Sequence, residues 1–405
     1  MAGSAVLLGL ALAVTGAVYS LLFWFFGLLL VVLASTAVLC SQAGRHLTAI
    51  LRLTVPTVVI GVVALPLVLL VWAPYIAGLL QQGFRSGAAQ RFLPESSALW
   101  PLPMVEASAI GALALIGTVW LVARFRSSDV AQALGIMILT SYGWYALSTL
   151  ALAAGTTLLA FRLEPALVSA LACGGVLGLL DGVRAAGRWI RNSKLERSRP
   201  VPLAAAVIAL SFAALLGMVQ TVPQEYEWSE VAQFGDYYPS GVTPAGTADD
   251  DDPGAWNDEL LATIDELAAA PASELVVLST HNEIFAYRPY FTFQASIAQY
   301  ANPLADFPSR RAEIERWAAS TTAAQLLAAL DAAPARPPSV FVLHRRPDGL
   351  HLRITYDTFP ALPNTASRAV LFDPAVFDHP AFERQDVGPF AVIVRETATD
   401  SPVND

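Results

Sequence analysis

Two stretches of the sequence concentrate groups able to handle a phosphate and a sugar. The first, Gln81 to Pro103, combines Arg85, Arg91, Glu95 and Trp100 with Pro94, Pro101 and Pro103. Guanidinium forks pair phosphate oxygens bidentately, so Arg85 and Arg91 suit either a lipid-linked phosphate or the headgroups of anionic lipids. Glu95 is the carboxylate nearest to them in sequence. The second stretch runs from His281 to Leu304 and holds Tyr287, Tyr290, Phe293, Gln294, Tyr300 and Asn302. Flat aromatic faces beside amide groups match the two surfaces of a sugar, its C–H face and its hydroxyls. A packed aromatic core would account for the Phe and Tyr residues without needing the Asn, Gln and Arg among them. Asp249 to Asp252 offer four carboxylates, but lack the alternate spacing and distal Glu of a calcium loop and read as a solvated linker. His281, His344, His351 and His379 lack ligand spacing and read as structural, with His344 and His351 on facing strands of a hairpin. No Gly-x-Ser-x-Gly elbow, Walker loop or His-Glu-x-x-His motif occurs.

The elements that must position these groups fall into two regimes. The chain has 405 residues, 55% hydrophobic and only 14% charged, too apolar and too sparsely charged for a soluble protein. Residues 1–223 carry 13 Lys/Arg and 6 Asp/Glu, or +7, while residues 224–405 carry 11 and 27, or −16; together they make the net −9. Such an acidic half repels nucleic acid phosphates. Cys40 and Cys173 both lie in apolar runs, so no disulfide framework is expected.

A membrane-spanning helix needs about 20 apolar residues. Segments 20–40, 54–80, 105–123, 130–152, 164–183 and 201–222 qualify, and 3–19 is a shorter run, about seven spans in all. Loops 41–53, 124–129 and 184–199 hold ten basic residues, whereas 81–103 and 153–163 hold only Arg85, Arg91 and Arg162. Basic loops stay cytoplasmic, which predicts a multi-pass plasma-membrane protein with residues 224–405 outside. Within the fourth long run, Thr140 to Tyr145 could line a groove for a polyisoprenoid, or form an interfacial aromatic belt.

The fold class expected is therefore a polytopic α-helical membrane domain, 1–223, followed by an extracytoplasmic α/β domain. An acidic linker, 224–254, leads into that domain, 255–396, and a tail, 397–405, ends the chain. Leu260, Leu261, Ile264 and Leu267 fall at helical spacing, and Leu275 to Leu278 form a short buried strand. Ser309 is the expected cap of a helix over 310–319, and Thr321 or Thr322 that of a helix ending near Ala333. Ser339 to His344 and Leu350 to Tyr356 flank Pro347-Asp348-Gly349 as a hairpin, and Phe390 to Val394 is a last strand.

The segments Tyr287 to Gln294 and Gln299-Tyr300-Ala301-Asn302-Pro303-Leu304, with Pro337 to Val342 and Val387-Gly388-Pro389-Phe390, resemble the C-terminal domain of actinobacterial galactan 5-O-arabinofuranosyltransferases. The resemblance spans most of 224–396 and extends less specifically into the preceding helices. It implies a GT-C-like glycosyltransferase acting in arabinogalactan cell-wall synthesis, with an extracytoplasmic active site. The implied donor is decaprenyl-phospho-arabinose, a polyprenyl phosphate sugar, and the implied acceptor is lipid-linked galactan. Family members use acidic residues in their first extracytoplasmic loop; here no acid precedes Glu95, so the resemblance implies a chain lacking the family's N-terminal region, one whose catalytic carboxylate is replaced, or an inactive one.

These readings combine into an inverting displacement at arabinose. Glu95 would take the acceptor proton and Arg85 and Arg91 the leaving phosphate, with a divalent cation, magnesium or manganese, as an optional partner. Tyr287, Tyr290, Phe293, Gln294, Tyr300 and Asn302 would hold the acceptor glycan. Two alternatives stay open: a non-catalytic, membrane-anchored glycan-binding protein, and a transferase using another polyprenyl-phosphate sugar.

Overall fold

A computed structural model describes residues 2–41, 46–83, 87–93, 100–192, 237–244 and 246–396. It separates into a helical unit, residues 1–85 and 93–220, and a second unit, residues 86–92 and 221–405. The chain thus enters the second unit twice, first with a short segment of the Gln81–Pro103 loop.

The described helices of the first unit are α1 (Ala2–Val18), α2 (Ser20–Leu39), α3 (His46–Gln82), α4 (Ala109–Arg124), α5 (Asp129–Leu152) and α6 (Glu164–Asn192). Four segments are long and apolar enough to cross a membrane: Ser20–Leu39, His46–Gln81, Asp129–Leu152 and Ala160–Ala185. The shorter helices α1 and α4 are apolar as well. The span expected at 201–222 lies outside the described residues. The third helix corrects the sequence reading, because it begins at His46 rather than 54 and takes in Arg52 and Pro56. Ala49, Ile50 and Leu51 carry the helix upstream of the proline, and Thr54 Oγ1 donates to the Ile50 carbonyl at 2.9 Å. Prolines inside apolar helices are tolerated where side chains and local adjustments satisfy freed carbonyls.

Small residues set the helix contacts. A Cβ on Gly117 would lie 2.1 Å from the Leu171 carbonyl oxygen, and one on Gly175 2.3 Å from that of Leu113. The α4 and α6 backbones therefore touch, the packing expected where lipid supplies no hydrophobic drive between helices.

The second unit is a seven-stranded mixed sheet between helices. Its elements are α7 (Asn257–Leu267), β1 (Val276–Ser279), α8 (Glu283–Tyr287), β2 (Phe291–Thr292), α9 (Phe307–Ala318), α10 (Ala323–Asp331), β3 (Val340–Arg346), β4 (Gly349–Asp357), β5 (Thr365–Phe372), β6 (Phe382–Val387) and β7 (Phe390–Arg395). The strand order is β2-β1-β3-β4-β5, with β7 on the opposite edge of β3 and β6 beyond it. Strand β1 is parallel to both β2 and β3, and the remaining pairs are antiparallel. Along β3 the register passes from β1, with Ser279 opposite Val342, to β4, with His344 opposite His351.

Alternation sorts the buried side chains onto two faces. Val277, Val340, Val342, Val392 and Val394 pack against Leu260, Leu261 and Ile264 of α7. Phe341, Leu343, Leu352, Ile354 and Ile393 pack against Ile314 and Trp317 of α9 and Leu326 and Leu330 of α10. The expected strands and hairpin are present, and Thr322 caps α10 by accepting from the Gln325 amide. The α9 start is a correction. The helix opens at Phe307, behind a left-handed Asp306 and with Pro308 in its first turn, so Ser309 lies inside it.

Candidate functional site

Where β1 ends and β4 takes its place beside β3, a buried polar cluster forms. Asn257, the first residue of α7, is fully buried there. Its side-chain amide donates to Glu283 Oε2 at 2.5 Å, and its Oδ1 lies 2.7 Å from His281 Nε2. Since Oδ1 can only accept, His281 carries its proton on Nε2. The His281 backbone amide donates to Ser279 Oγ at 3.1 Å. The His281 and His344 rings both lie against Phe390, with centroids 5.0 and 4.5 Å away. Burial, then the neighbouring His344, depresses His281 to about 4, while Asp252 pulls the other way. Burial also lowers His344. Both imidazoles are therefore neutral near pH 7, and His281 serves as a hydrogen-bond donor to Asn257. The cluster lies at the carboxyl end of β1, a parallel strand. Sequence spacing gave no sign of it, because Asn257 on α7 reaches His281, and His281 and His344 share Phe390, only once helix and sheet have packed.

The expected sugar-contact residues separate by burial. Phe293 is 1% exposed, its ring centroid 4.9 Å from that of Trp317 and the Arg310 guanidinium 5.2 Å from its own. Gln294 is buried and donates to the Phe307 carbonyl at 3.3 Å. Tyr290 is buried in the α7 face, and burial pushes its phenol up to about 12. Tyr287 is half-buried and donates its hydroxyl to the Tyr237 carbonyl. Tyr300, 80% exposed, and Asn302 face solvent. Asn302 Oδ1 accepts from the Leu304 amide at 3.0 Å and starts the turn at Pro303.

The segment from the first polar stretch meets this motif. Gly87 passes so close to Pro303 that a Cβ would lie 2.7 Å from its Cγ. Arg91 ends a short helical turn, Ala88–Arg91, and its Nε lies 3.2 Å from the largely buried Asp357 carboxylate. Asn364 donates to the Arg91 carbonyl at 2.9 Å. Arg85 and Glu95 lie outside the described residues.

In the helical unit, one end gathers aromatic and hydrogen-bonding groups. Trp100 stacks on Tyr142, which donates to the Pro101 carbonyl at 2.9 Å. Trp144 donates to the Leu158 carbonyl at 3.0 Å. Arg162 donates to the Tyr19 hydroxyl and lies 5.5 Å from both the Tyr19 and Phe161 ring centres. At the other end Asp181 accepts from Trp120 and Arg124 and faces Arg184 at 3.5 Å. Among the described residues, no three His, Cys, Asp or Glu side chains converge as a metal set.

Apolar helices of spanning length, joined to a mixed-sheet domain, make this an integral membrane protein of two parts. The family model for the arabinofuranosyltransferase N-terminal region matches residues 1–214, and that for the arabinofuranosyltransferase A C-terminal region matches residues 233–395. The chain belongs to this arabinofuranosyltransferase family. It is 37% identical over 393 residues to the galactan 5-O-arabinofuranosyltransferase of Mycolicibacterium smegmatis, covering 96% of this chain and 60% of that protein. The protein of the same name from Mycobacterium leprae is 33% identical over 379 residues, covering 92% and 57%. That of Mycobacterium tuberculosis is 34% identical over 349 residues, covering 84% and 51%. The chain thus spans between half and three-fifths of the length of these relatives.

Proposed function

We propose that this chain serves as a plasma-membrane glycosyltransferase that moves arabinofuranose from decaprenyl-phospho-arabinose to galactan during arabinogalactan synthesis. The carrying observation is that the family's N- and C-terminal models match in order along the chain. The names of the relatives supply galactan as acceptor and arabinofuranose as the group moved. The segregation of aromatic residues to one helix end and of Arg124 and Arg184 to the other supports an extracytoplasmic second unit.

In this reading an acceptor oxygen attacks the anomeric carbon of arabinose. The bond from that carbon to the phosphate oxygen breaks, and its electron pair leaves on the lipid phosphate. A carboxylate takes the hydroxyl proton, with Glu95 in that role. The leaving group is a weak base and needs charge neutralisation, the role given to Arg85 and Arg91, with Arg91 also tied to Asp357 through Nε. Exposed Tyr300 and Asn302 touch the acceptor, while Tyr290, Phe293 and Gln294 support that surface from beneath and Tyr287 borders it. Among the described residues no three His, Cys, Asp or Glu side chains converge, and no step here runs through a cation.

The test is transfer of labelled arabinose from decaprenyl-phospho-arabinose to a galactan oligosaccharide by this chain reconstituted in lipid. Labelled product supports the reading. Galactan binding without product would favour the non-catalytic glycan-binding alternative, and product only from another polyprenyl-phosphate sugar would replace the donor.

A further inference from the structure

Away from the polar cluster at β1, a cleft of about 140 Å³ opens between α9 and the β4–β5 hairpin. Arg311 and Glu315 line it from the helix, and Ile354, Tyr356, Arg368 and Val370 from the strands. The strand contribution follows from register: Ile354 pairs with Arg368 and Leu352 with Val370, so these side chains share the face that α9 covers. The Arg311 guanidinium lies 5.2 Å from the Tyr356 ring centre, which fixes it at the cleft wall. Its Nε is buried and has no hydrogen-bond acceptor, since Glu315 Oε1 is 3.6 Å away. Arg368 is exposed and makes no ion pair among the described residues.

A buried N–H without an acceptor is costly, but Arg311 Nε is closed to the cleft, so a ligand oxygen would meet this guanidinium at its terminal nitrogens. Two guanidinium groups alone would select an anion, but Glu315 in the same cleft repels one. A carboxylate accepts from hydroxyls, guanidinium groups donate to them, and Ile354, Val370 and the Tyr356 ring give an apolar floor. A polyol with one C–H face satisfies all three at once. We propose that this cleft is a galactan subsite that takes one galactofuranose unit through Arg311, Glu315, Tyr356 and Arg368. The assignment rests on the reading of the chain as one that acts on galactan.

The test is titration of the full chain in lipid nanodiscs with a galactofuranose tetrasaccharide. Arg368→Ala and Glu315→Gln alter partly exposed side chains and should leave thermal melting unchanged. Each should weaken tetrasaccharide binding about tenfold, the effect of losing one charge-assisted hydrogen bond. Inorganic phosphate should not compete. In a transfer assay the same variants should raise KM for the acceptor and leave kcat unchanged. Unchanged affinity in both variants, absence of tetrasaccharide binding by the parent chain, or phosphate competition that Arg368→Ala abolishes would each overturn the proposal. Loss of binding in the variants of a chain that transfers no arabinose would leave the subsite standing and remove the transferase reading. Transfer with unaltered KM in both variants would do the reverse.

Discussion

Phe293 and Tyr300 belong to one aromatic segment, yet the structure gives them opposite exposure. Phe293 is 1% exposed and shares an aromatic contact with Trp317 at 4.9 Å, while Tyr300 is 80% exposed. Phe293→Ala removes a buried ring from a face that also holds Ile314 and Leu326. Large-to-small changes of this kind cost about 3–5 kcal/mol, the lost Trp317 contact included. For a unit of this size that lowers its melting midpoint by roughly 10 °C. Tyr300→Ala should change stability by no more than about 0.5 kcal/mol and should instead weaken galactan binding. The assay is tryptophan-fluorescence melting of the full chain in detergent, paired with titration by a galactofuranose oligosaccharide. Phe293→Leu, which keeps an apolar side chain, separates partial from complete loss of packing. If Phe293→Ala melts like the parent and loses galactan binding, or Tyr300→Ala destabilises strongly, the division between core and surface is refuted.

Three further outcomes follow from particular contacts. His281 is depressed from 6.5 to about 4, so between these values the unfolded chain binds a proton that the folded chain does not. Its contribution is complete above pH 6.5 and is lost as pH falls toward 4, by about 3 kcal/mol; His281→Gln should flatten melting-temperature profiles in that window. Arg91→Ala leaves the Asp357 carboxylate without its cation and should cost about 1–2 kcal/mol, an intermediate value because Arg91 is 35% exposed; a double-mutant cycle with Asp357→Asn measures the coupling, and loss of transfer with no stability change would assign Arg91 to the donor alone. Gly117→Val would drive a side chain into the Leu171 carbonyl and should separate α4 from α6; earlier melting in detergent is the expected readout.

Much of the second unit was legible because its central strands are short apolar runs and its hairpin has a distinctive turn. Gly349 adopts φ +142°, a conformation that glycine accommodates, and closes β3 onto β4 after Pro347-Asp348. Strands β5 and β6 were not legible. Only Phe382 and Val387 of β6 are buried, and only Val370 and Phe372 of β5, so both read as polar sequence until their partners are known. The helical unit was visible from hydropathy, but the start of α3 was not, since Arg52 read as part of a basic loop over 41–53.

The candidate sites show the sharper limit. Phe293 and Tyr300 are alike in type; the amide of Phe293 donates to the Val277 carbonyl and carries the β2 path into the core, whereas Tyr300 ends a short turn. No local pattern distinguishes them. Contacts between distant residues were equally hidden: Arg91 with Asp357, Asn257 with His281 and Glu283, and Arg311 with Tyr356 each require the sheet to form first. The family motif was recognisable as a pattern of residue types, while the duty of each residue within it depended on burial.

The most direct test of the proposed function is linkage analysis of product from the reconstituted 405-residue chain, supplied with decaprenyl-phospho-arabinose and a galactofuranose oligosaccharide. The account predicts an arabinofuranose attached to O5 of a galactofuranose, in agreement with the name of the relatives. Oligosaccharide binding with no arabinose attached under any donor concentration would contradict it.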